Sequence, residues 1–375
     1  MAYSLAVSRA VMDHRAVVTA TGHEDLLAGL NAIAAGEDHP NVVTGHTVPG
    51  HTGLAVLFTG QGSQHPGMGR DLHTAFPAFR DSLDHTCTLL DQHLATELTQ
   101  AGATSLRDIM FADPGTPHAR LLDQTRFTQP ALFAYETALY HQFTTWGITP
   151  THLTGHSVGE VVAAHLAGIL TLPDACTLIT ARGRLMNSLP PGGAMISVRA
   201  GEHDITTALT QHPDTPIAIA ALNTPTSTVL SGTEQAVHTL THTLTQHGHT
   251  TRRLNVSHAF HSPLMNPILN EFRTILTTLT FHPPRLPVIS NLTGRPADPH
   301  HITTPDYWIN HALHTVRYTD TITTLHHHGI RTYLEIGPDT TLTTLGRETL
   351  DTHTTSSTDT TADTTGSTDT TADTT

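Results

Sequence analysis

Short apolar runs recur along the chain, and each is followed by a longer stretch with helical spacing. The run from Leu54 to Phe58 is wholly apolar and predicts a buried strand that ends in a glycine-containing turn. A second strand is predicted at 151–154, ahead of a helical pattern. Further on, the pattern predicts a helix over 264–279, a strand over 287–291, a helix before Gly329 and a strand over 332–336.

The interval from Ala194 to Val256 carries a different pattern. Three apolar runs of strand length are interleaved with helical stretches that begin near Glu202 and Glu234. Strands and helices in this order predict a small split βαβ insertion. Two prolines and two glycines at 190–193 mark its entrance.

Both ends of the chain are expected to lie outside the main body. Residues 1–50 contain one helical pattern, from Glu24 to Ala35, and then a glycine- and proline-containing stretch, which indicates a connector segment. The C-terminal end holds a Thr/Asp repeat, 357–365 and again 367–375. Because this repeat has almost no apolar surface to offset the entropy of ordering, we predict a disordered tail over 351–375.

Composition narrows the function classes. The 375 residues suffice for two or three folding units, and a net charge of −14 without any Lys/Arg block argues against nucleic acid. We expect neither a secretory leader nor a membrane span, since no apolar stretch approaches about 18 residues. Two cysteines outside any metal-binding pattern fit a reducing cytoplasm. The 31 histidines stand mostly in Thr-rich runs, so we expect no metal site.

The pentapeptide at 155–159, Gly-His-Ser-Val-Gly, matches the pattern G-x-S-x-G between a predicted strand and a predicted helix. Flanking glycines allow a turn tight enough to raise the hydroxyl of Ser157 out of the sheet, next to helix N–H groups that stabilise an oxyanion. The alternative is a turn in which the serine only caps the helix.

A nucleophilic serine needs a base, and His261, far downstream, is one candidate among many histidines. No motif selects an acid for a triad, and a Ser–His dyad oriented by a backbone carbonyl stays open beside it. The acids within range are Asp174, Asp204, Asp214 and Asp306.

Two further positions have a functional and a plain structural interpretation. The Gly-Gln-Gly turn at 60–62 follows a strand directly, which suits a backbone N–H donor beside the serine, or is an ordinary strand-ending turn. Arg182 is a permanent cation able to bind a substrate carboxylate, or an exposed arginine at a helix end.

Taken together, the motifs resemble the acyltransferase domains of modular polyketide synthases, close relatives of malonyl-CoA:acyl-carrier-protein transacylases. The matching stretches are Phe-Thr-Gly-Gln-Gly-Ser-Gln at 58–64 with Gly-Met-Gly at 67–69, Thr-Gln-Pro-Ala-Leu-Phe-Ala at 128–134, Gly-His-Ser-Val-Gly-Glu at 155–160, Arg-Gly at 182–183, Asn-Thr-Pro at 223–225 and His-Ala-Phe-His at 258–261.

The resemblance implies an α/β-hydrolase-like parallel-sheet body with an inserted ferredoxin-like small subdomain. The body would comprise 51–187 and 257–350, and the subdomain 188–256. Residues 1–50 are similar to the linker that joins a ketosynthase domain to an acyltransferase domain.

The resemblance also implies residue roles. Ser157 would be the acyl nucleophile and His261 its general base, oriented by a main-chain carbonyl near Ser290 or Asn291. This would explain why no triad acid is apparent.

Backbone N–H groups of Gln61 and Val158 would form the oxyanion hole. Arg182 would bind the free carboxylate of the extender unit, and Gln129 would also belong to the substrate site.

The tetrapeptide that ends at His261 bears on substrate choice. In this family His-Ala-Phe-His accompanies malonyl selection, whereas methylmalonyl enzymes usually carry Tyr-Ala-Ser-His. His258 and Phe260 are therefore expected in the substrate site, with Phe260 filling the space of a 2-methyl branch. One methyl group is worth ~1–3 kcal/mol, so we expect a preference of roughly 10–200-fold.

The expected reaction is ping-pong transfer of malonyl from malonyl-CoA to the phosphopantetheine thiol of an acyl carrier protein, without a cofactor bound to this domain. The expected partners are the carrier protein and a neighbouring ketosynthase domain, in the cytoplasm, with neither nucleic acid nor membrane. Two alternatives stay open: a hydrolase that releases acyl groups to water through the same serine, and a catalytically silent scaffold domain.

Overall fold

The computed structural model describes residues 8, 10, 12–47, 53–211, 215–254, 256 and 258–359, the last of them, 353–359, in backbone only. The chain divides into two compact units, Met1–Thr52 and Gly53–Thr375. Within the described residues, no helix combines the length and the apolar character needed to cross a membrane.

The first unit is a small β–α–β arrangement. Strands β1 (His14–Val18) and β2 (Val42–His46) pair antiparallel, and helix α1 (His23–Ala35) connects them. The helix predicted from Glu24 is confirmed, whereas the two strands were missed because their side chains are largely exposed and show no buried alternation. Residues 2–6, part of the linker-like sequence, lie outside the described residues.

A three-stranded parallel sheet forms the centre of the second unit. Strands β3 (Leu54–Phe58), β4 (His152–Gly155) and β11 (Thr332–Ile336) are hydrogen-bonded in the order β11–β3–β4. Strand β3 occupies the predicted range and is buried from Ala55 onward, as expected for a strand covered on both faces. A parallel bridge between Leu153 and Val288 extends the sheet beyond β4.

Helices pack on this sheet and supply most of its hydrophobic core. The helices before the insertion are α2 (Arg70–Ala75), α3 (Pro77–His93), α4 (Ala95–Ala101), α5 (Leu106–Met110), α6 (Pro117–Leu121), α7 (Thr125–Thr145), α8 (Val158–Leu166) and α9 (Leu172–Asn187). Most residues of α7 are buried, including the polar residues Gln129 and Glu136. A polar side chain in such a helix needs a partner inside the protein. Gln129 faces the site described below, and Glu136 contacts Thr59 directly after β3.

The inserted subdomain has a separate hydrophobic core. Its elements are β5 (Gly193–Val198), α10 (Glu202–Thr210), β6 (Ile217–Thr224), β7 (Ser227–Thr233), α11 (Glu234–Gln246) and β8 (Thr251–Arg253). The strands are antiparallel in the order β6–β7–β5–β8. This βαββαβ order confirms the ferredoxin-like subdomain, and its elements lie inside the range 188–256.

The chain then returns to the body. It forms a 3₁₀ turn (Pro263–Met265), α12 (Asn266–Leu276), β9 (Ile289–Ser290), β10 (Arg295–Pro296), α13 (Pro299–Ile302), α14 (Pro305–Leu313), α15 (Tyr318–His327), β11 and α16 (Thr341–Asp359). The helix predicted over 264–279 is thus shorter and starts as a 3₁₀ turn. Helix and sheet together confirm the α/β-hydrolase-like body.

Helix α16 extends past residue 350, where the body was expected to end. Threonine hydroxyls in it donate back to the preceding turn, as Thr352 Oγ1 does to the Glu348 carbonyl at 2.7 Å. The predicted tail began at 351, whereas α16 continues to Asp359, and residues 360–375 lie outside the described residues.

Candidate active site

Ser157 lies at the sharp turn between β4 and α8, with φ 53° and ψ −111°. The turn requires glycine on both sides: a Cβ at Gly155 would lie 2.0 Å from the carbonyl carbon of Gly159, and a Cβ at Gly159 would lie 2.3 Å from the Phe58 carbonyl oxygen. Helix α8 thus packs backbone against backbone on the sheet. The geometry matches the strand–turn–helix context expected for the pentapeptide.

His261 approaches the serine from a loop 104 positions away. Its Nε2 accepts the Ser157 hydroxyl at 2.7 Å. Its Nδ1 donates to the His314 carbonyl at 2.8 Å, which assigns the neutral tautomer that leaves Nε2 free to accept. Burial, followed by the charge of Arg182, lowers the pKa of His261 to about 3, so this imidazole is neutral at physiological pH.

The carbonyl that orients His261 differs from the expectation. We expected a main-chain carbonyl near Ser290 or Asn291, but the acceptor is the carbonyl of His314. The Asn291 carbonyl instead accepts the N–H of Arg317 at 2.6 Å. No side-chain acid takes part in this contact, which agrees with a dyad oriented by the main chain.

A buried network of polar groups supports the turn from below. Glu160, in the first turn of α8, accepts hydrogen bonds from the Asn291 N–H, at 2.5 Å, and from the Tyr307 hydroxyl. The oxygen of the Tyr307 hydroxyl also lies 2.6 Å from Ser290 Oγ. The Asn291 side chain donates to the Gly155 carbonyl at 2.7 Å. Burial raises the pKa of Glu160 to about 7. Glu160 lies in the matched motif but has no role among the expectations above, and the available signal was an acid in a mostly apolar helix.

Arg182 lies inside α9 and is only 3% exposed, so the interpretation as an exposed helix-end arginine is wrong. Its Nη1 donates to Gln129 Oε1 at 2.8 Å and its Nη2 to Ser157 Oγ at 3.1 Å. Among the described residues, no carboxylate forms an ion pair with it, and its Nε has no hydrogen-bond partner. Burial lowers the pKa of Arg182 to about 10, and it remains a cation at neutral pH.

The two predicted oxyanion donors face the same space. Val158 opens α8 and Gln61 follows β3, and no hydrogen bond within the described chain uses either backbone N–H. A Cβ at Gly60 would lie 2.9 Å from His156 Nδ1, so only glycine lets this loop approach the serine turn so closely. Both N–H groups are therefore available to an oxygen bound beside Ser157.

A cleft of about 600 Å³ opens at the serine between the body and the small subdomain. The body contributes Gln61, Gln129, Ser157, Val158, Arg182, Phe260 and His261, whereas the subdomain contributes mainly apolar residues, among them Met195, Ala221, Val229 and Leu254. Seven of the eight predicted site residues thus line one cleft. A mixed lining of this kind, with few polar groups that converge on one end, is typical of a small-molecule site.

His258 is the exception, because it does not line the cleft. Its Nε2 forms a hydrogen bond with the Leu189 carbonyl at 2.9 Å, and its ring centre lies 6.1 Å from that of Phe260. His258 therefore supports Phe260 rather than facing a substrate. Among the described residues, no group of three or more His, Cys, Asp or Glu side chains is placed to hold a metal ion.

An elbow serine that is hydrogen-bonded to a histidine on an α/β-hydrolase-like body is typical of proteins that form acyl-serine intermediates. The chain belongs to the acyl transferase domain family, whose model matches residues 56–370. It is 46% identical over 348 residues to the spectinabilin polyketide synthase system protein NorB of Streptomyces orinoci. The aligned region covers 93% of this chain and 16% of NorB. The chain spans between 4% and 20% of the length of its curated relatives.

Solved structures agree with this assignment. The acyltransferase domain from the second module of the salinomycin polyketide synthase is 44% identical, with a TM-score of 0.79 over 90% of this chain and 76% of that one. The malonyl CoA-acyl carrier protein transacylase of Coxiella burnetii is 28% identical, with a TM-score of 0.71 over 81% of this chain and 92% of that one. The predicted membership among polyketide synthase acyltransferase domains is confirmed.

Proposed function

We propose that this domain transfers a malonyl group from malonyl-CoA to the phosphopantetheine thiol of an acyl carrier protein. One observation carries the proposal: Ser157 Oγ lies 2.7 Å from His261 Nε2 and 3.1 Å from Arg182 Nη2. A base on one side of the hydroxyl activates it, and a buried cation on the other suits an acyl group that carries a free carboxylate. Gln129 holds the guanidinium in this position.

The first half-reaction would proceed as follows. Ser157 Oγ attacks the thioester carbonyl while its proton passes to His261 Nε2, and the N–H groups of Gln61 and Val158 stabilise the oxyanion. The carbonyl re-forms, the C–S bond breaks, and the CoA sulfur takes the proton from Nε2. The products are free CoA and a malonyl ester on Ser157.

The second half-reaction repeats these steps with a new thiol. His261 removes the proton of the phosphopantetheine thiol, whose sulfur attacks the ester carbonyl, and the proton then returns to Ser157 Oγ as the C–O bond breaks. Because the first product leaves before the acceptor binds, the kinetics are ping-pong. The domain itself needs no cofactor for either step.

The proposal is tested by intact-mass spectrometry after exposure to malonyl-CoA. Wild-type protein should gain one malonyl group, and Ser157→Ala should gain none. A malonyl adduct on Ser157→Ala would refute the assignment. Without carrier protein, continued CoA release beyond one equivalent per protein would indicate a hydrolase, and no adduct on wild-type protein would indicate a silent scaffold.

We further propose that the site prefers malonyl over methylmalonyl, because buried Phe260 narrows the cleft beside His261. Phe260→Ser with His258→Tyr should raise methylmalonyl transfer relative to malonyl by roughly 10-fold or more. Since His258 lies behind Phe260, the single change Phe260→Ser should account for most of the effect. An unchanged ratio in both variants would refute the pocket argument.

For the whole protein, we propose that the domain works within a multidomain synthase in the cytoplasm, next to a ketosynthase domain. The relatives that support this are polyketide synthases many times longer than this chain. We also propose the division of the chain into a linker-like segment (1–50), a body (51–187 and 257–350, continued by α16 to Asp359) and a small subdomain (188–256). The free, buried thiols of Cys87 and Cys176 are compatible with a reducing compartment.

A further inference from the structure

A buried carboxyl group lies directly behind the loop that carries one oxyanion donor. We call Thr59, Gly60 and Gln61 the oxyanion loop. Glu136, on α7, is fully buried, and its Oε1 accepts both the backbone N–H of Thr59, at 3.1 Å, and the Thr59 hydroxyl. Its other oxygen, Oε2, has no hydrogen-bond partner among the described residues. The mechanism proposed above makes no use of this side chain.

Further contacts hold the oxyanion loop at each of its residues. The Thr59 hydroxyl lies 3.0 Å from Ser63 Oγ, which in turn donates to the Gly60 carbonyl at 3.0 Å. The Gln61 side chain donates to Thr125 Oγ1 at 3.1 Å. Thr125 is the first residue of α7, so one helix holds the loop at both ends.

The loop also has no room to shift. A Cβ at Gly337, which follows β11, would lie 2.1 Å from Thr59 Cγ2, and a Cβ at Gly60 would lie 3.1 Å from the His156 carbonyl oxygen. Thr59 is therefore packed between α7 and β11, while Gly60 contacts the serine turn. The direction of the Gln61 N–H depends on how Thr59 is anchored.

We propose that Glu136 is a positioning residue that aims the Gln61 N–H at the developing oxyanion through its two hydrogen bonds to Thr59. The inference rests on the proposed function, because it assigns Glu136 to the oxyanion hole of that reaction. The two donors are the N–H of the peptide bond between Phe58 and Thr59 and the Thr59 hydroxyl, so together they fix the position of Thr59 at the start of the oxyanion loop. A displacement of about 1 Å at such a donor is enough to reduce a rate by ~10²-fold.

The chemistry of the carboxyl group supports this role. Burial raises the pKa of Glu136 well above its usual value, which favours the neutral acid. A neutral carboxyl group has one oxygen that accepts hydrogen bonds from Thr59 and adds no charge behind the oxyanion. Glutamine has the same shape and the same acceptor, so Glu136→Gln should preserve the function, whereas leucine should not.

The test measures single-turnover acylation by malonyl-CoA in four variants of the full chain. Here kcat denotes the maximum acylation rate constant, and KM denotes the malonyl-CoA concentration at half-maximal rate. For Glu136→Leu we expect kcat to fall ~10²-fold with KM within about twofold of wild type, because the donor acts on the transition state rather than on bound substrate. Thr59→Val, which removes one of the two bonds, should lose ~10-fold. Glu136→Gln should lose less than about threefold.

Gln142→Leu is the matched control. Gln142 is also buried on α7, and its Oε1 accepts a backbone N–H, that of Phe79, at 3.2 Å, but it does not line the cleft. This variant should have a lower melting temperature with an unchanged kcat. Equal losses of kcat in Gln142→Leu and Glu136→Leu would overturn the proposal.

Folding and the proposed function can be separated from the inference. If Glu136→Leu does not fold, Thr59→Val decides, and a wild-type kcat there would overturn the positioning role. If Ser157→Ala is inert while Glu136→Leu and Thr59→Val acylate normally, only the inference fails. If Ser157→Ala still forms the malonyl adduct, the proposed function itself fails.

Discussion

Replacement of Arg182 by methionine should separate recognition of the malonyl carboxylate from the acyl-transfer chemistry. The guanidinium is desolvated, and within the described chain it forms hydrogen bonds but no ion pair with a carboxylate. An incoming carboxylate would supply the missing counter-charge in a buried position. Removal of one partner of such a buried charge pair costs ~2–5 kcal/mol, and at about 1.4 kcal/mol per tenfold this is a loss of roughly 30- to 4,000-fold for malonyl-CoA.

The same change should not lower stability. Burial lowers the pKa of Arg182 from 12.5 to about 10, and at about 1.4 kcal/mol per pKa unit the buried cation destabilises the folded state by about 3 kcal/mol. Methionine removes this cost but leaves Gln129 Oε1 without its donor, which costs about 1–3 kcal/mol. The melting temperature of Arg182→Met should therefore equal or exceed that of wild type.

The assay compares adduct formation from malonyl-CoA and from acetyl-CoA, which lacks the carboxylate. In Arg182→Met the malonyl-to-acetyl rate ratio should fall by ~10²-fold. Arg184→Met is the matched control: Arg184 lies on the same helix, but it is half exposed and faces Glu271 at 3.5 Å, an exposed pair worth at most about 1 kcal/mol. If both variants have the same rate ratio, or if Arg182→Met keeps the wild-type ratio, the carboxylate assignment is refuted.

Three further predictions concern the pH dependence and the packing of the site. The proposed base is the neutral imidazole of His261, whose pKa is lowered to about 3, so kcat/KM should stay flat from pH 8 to pH 5. The substrate for this measurement is malonyl-N-acetylcysteamine, because it lacks titrating phosphates. A fall in kcat/KM on the acid side with a midpoint near pH 6.5 would contradict the prediction. Burial raises the pKa of Glu160 from 4.5 to about 7, so the folded state keeps the proton to a higher pH than the unfolded state does, and stability falls as pH rises from about 4.5 to 7. Glu160→Gln should flatten the slope of melting temperature against pH in this window. An unchanged slope would contradict the assignment. Gly159→Ala places a methyl group 2.3 Å from the Phe58 carbonyl oxygen and should lower the unfolding free energy by at least ~1–3 kcal/mol in denaturant titrations, whereas a wild-type midpoint would show that the turn tolerates a side chain.

The parts of the fold that sequence patterns predict are those in which burial and local geometry coincide. Strand β3 is apolar throughout because both faces are covered, so its range follows from the sequence alone. The glycines at 155 and 159 mark the serine turn because no side chain fits there. Strands β1 and β2 could not be predicted in this way, because their side chains are mostly exposed and their formation depends on pairing with each other.

The proposed catalytic residues follow from motifs, but their supporting contacts do not. The His314 carbonyl, the Asn291 N–H and the Thr59 N–H are backbone atoms, which every residue carries, so no residue type at these positions announces them. Arg182 illustrates the reverse case: the residue type was informative, but only the packing of α9 shows that the charge is buried. Side-chain identity thus predicts chemistry, and tertiary packing decides orientation.

Backbone strain at two residues shows how local sequence and tertiary packing both shape the site. Among the described residues, the non-glycine residues with positive φ are Ser157 and His261, both at 53°. Such conformations cost ~1–3 kcal/mol each and persist only where the surroundings enforce them. At Ser157 the enforcing contacts are the glycine-mediated packing of α8 on the sheet, which leaves a sequence signal. At His261 they are a hydrogen bond to a carbonyl 53 positions away, which leaves none. The proposed nucleophile is therefore readable from the sequence of its own turn. His261 is selected from many histidines only by the tetrapeptide that resembles the family or by the fold, which brings Ser157 Oγ and His261 Nε2 within 2.7 Å of each other.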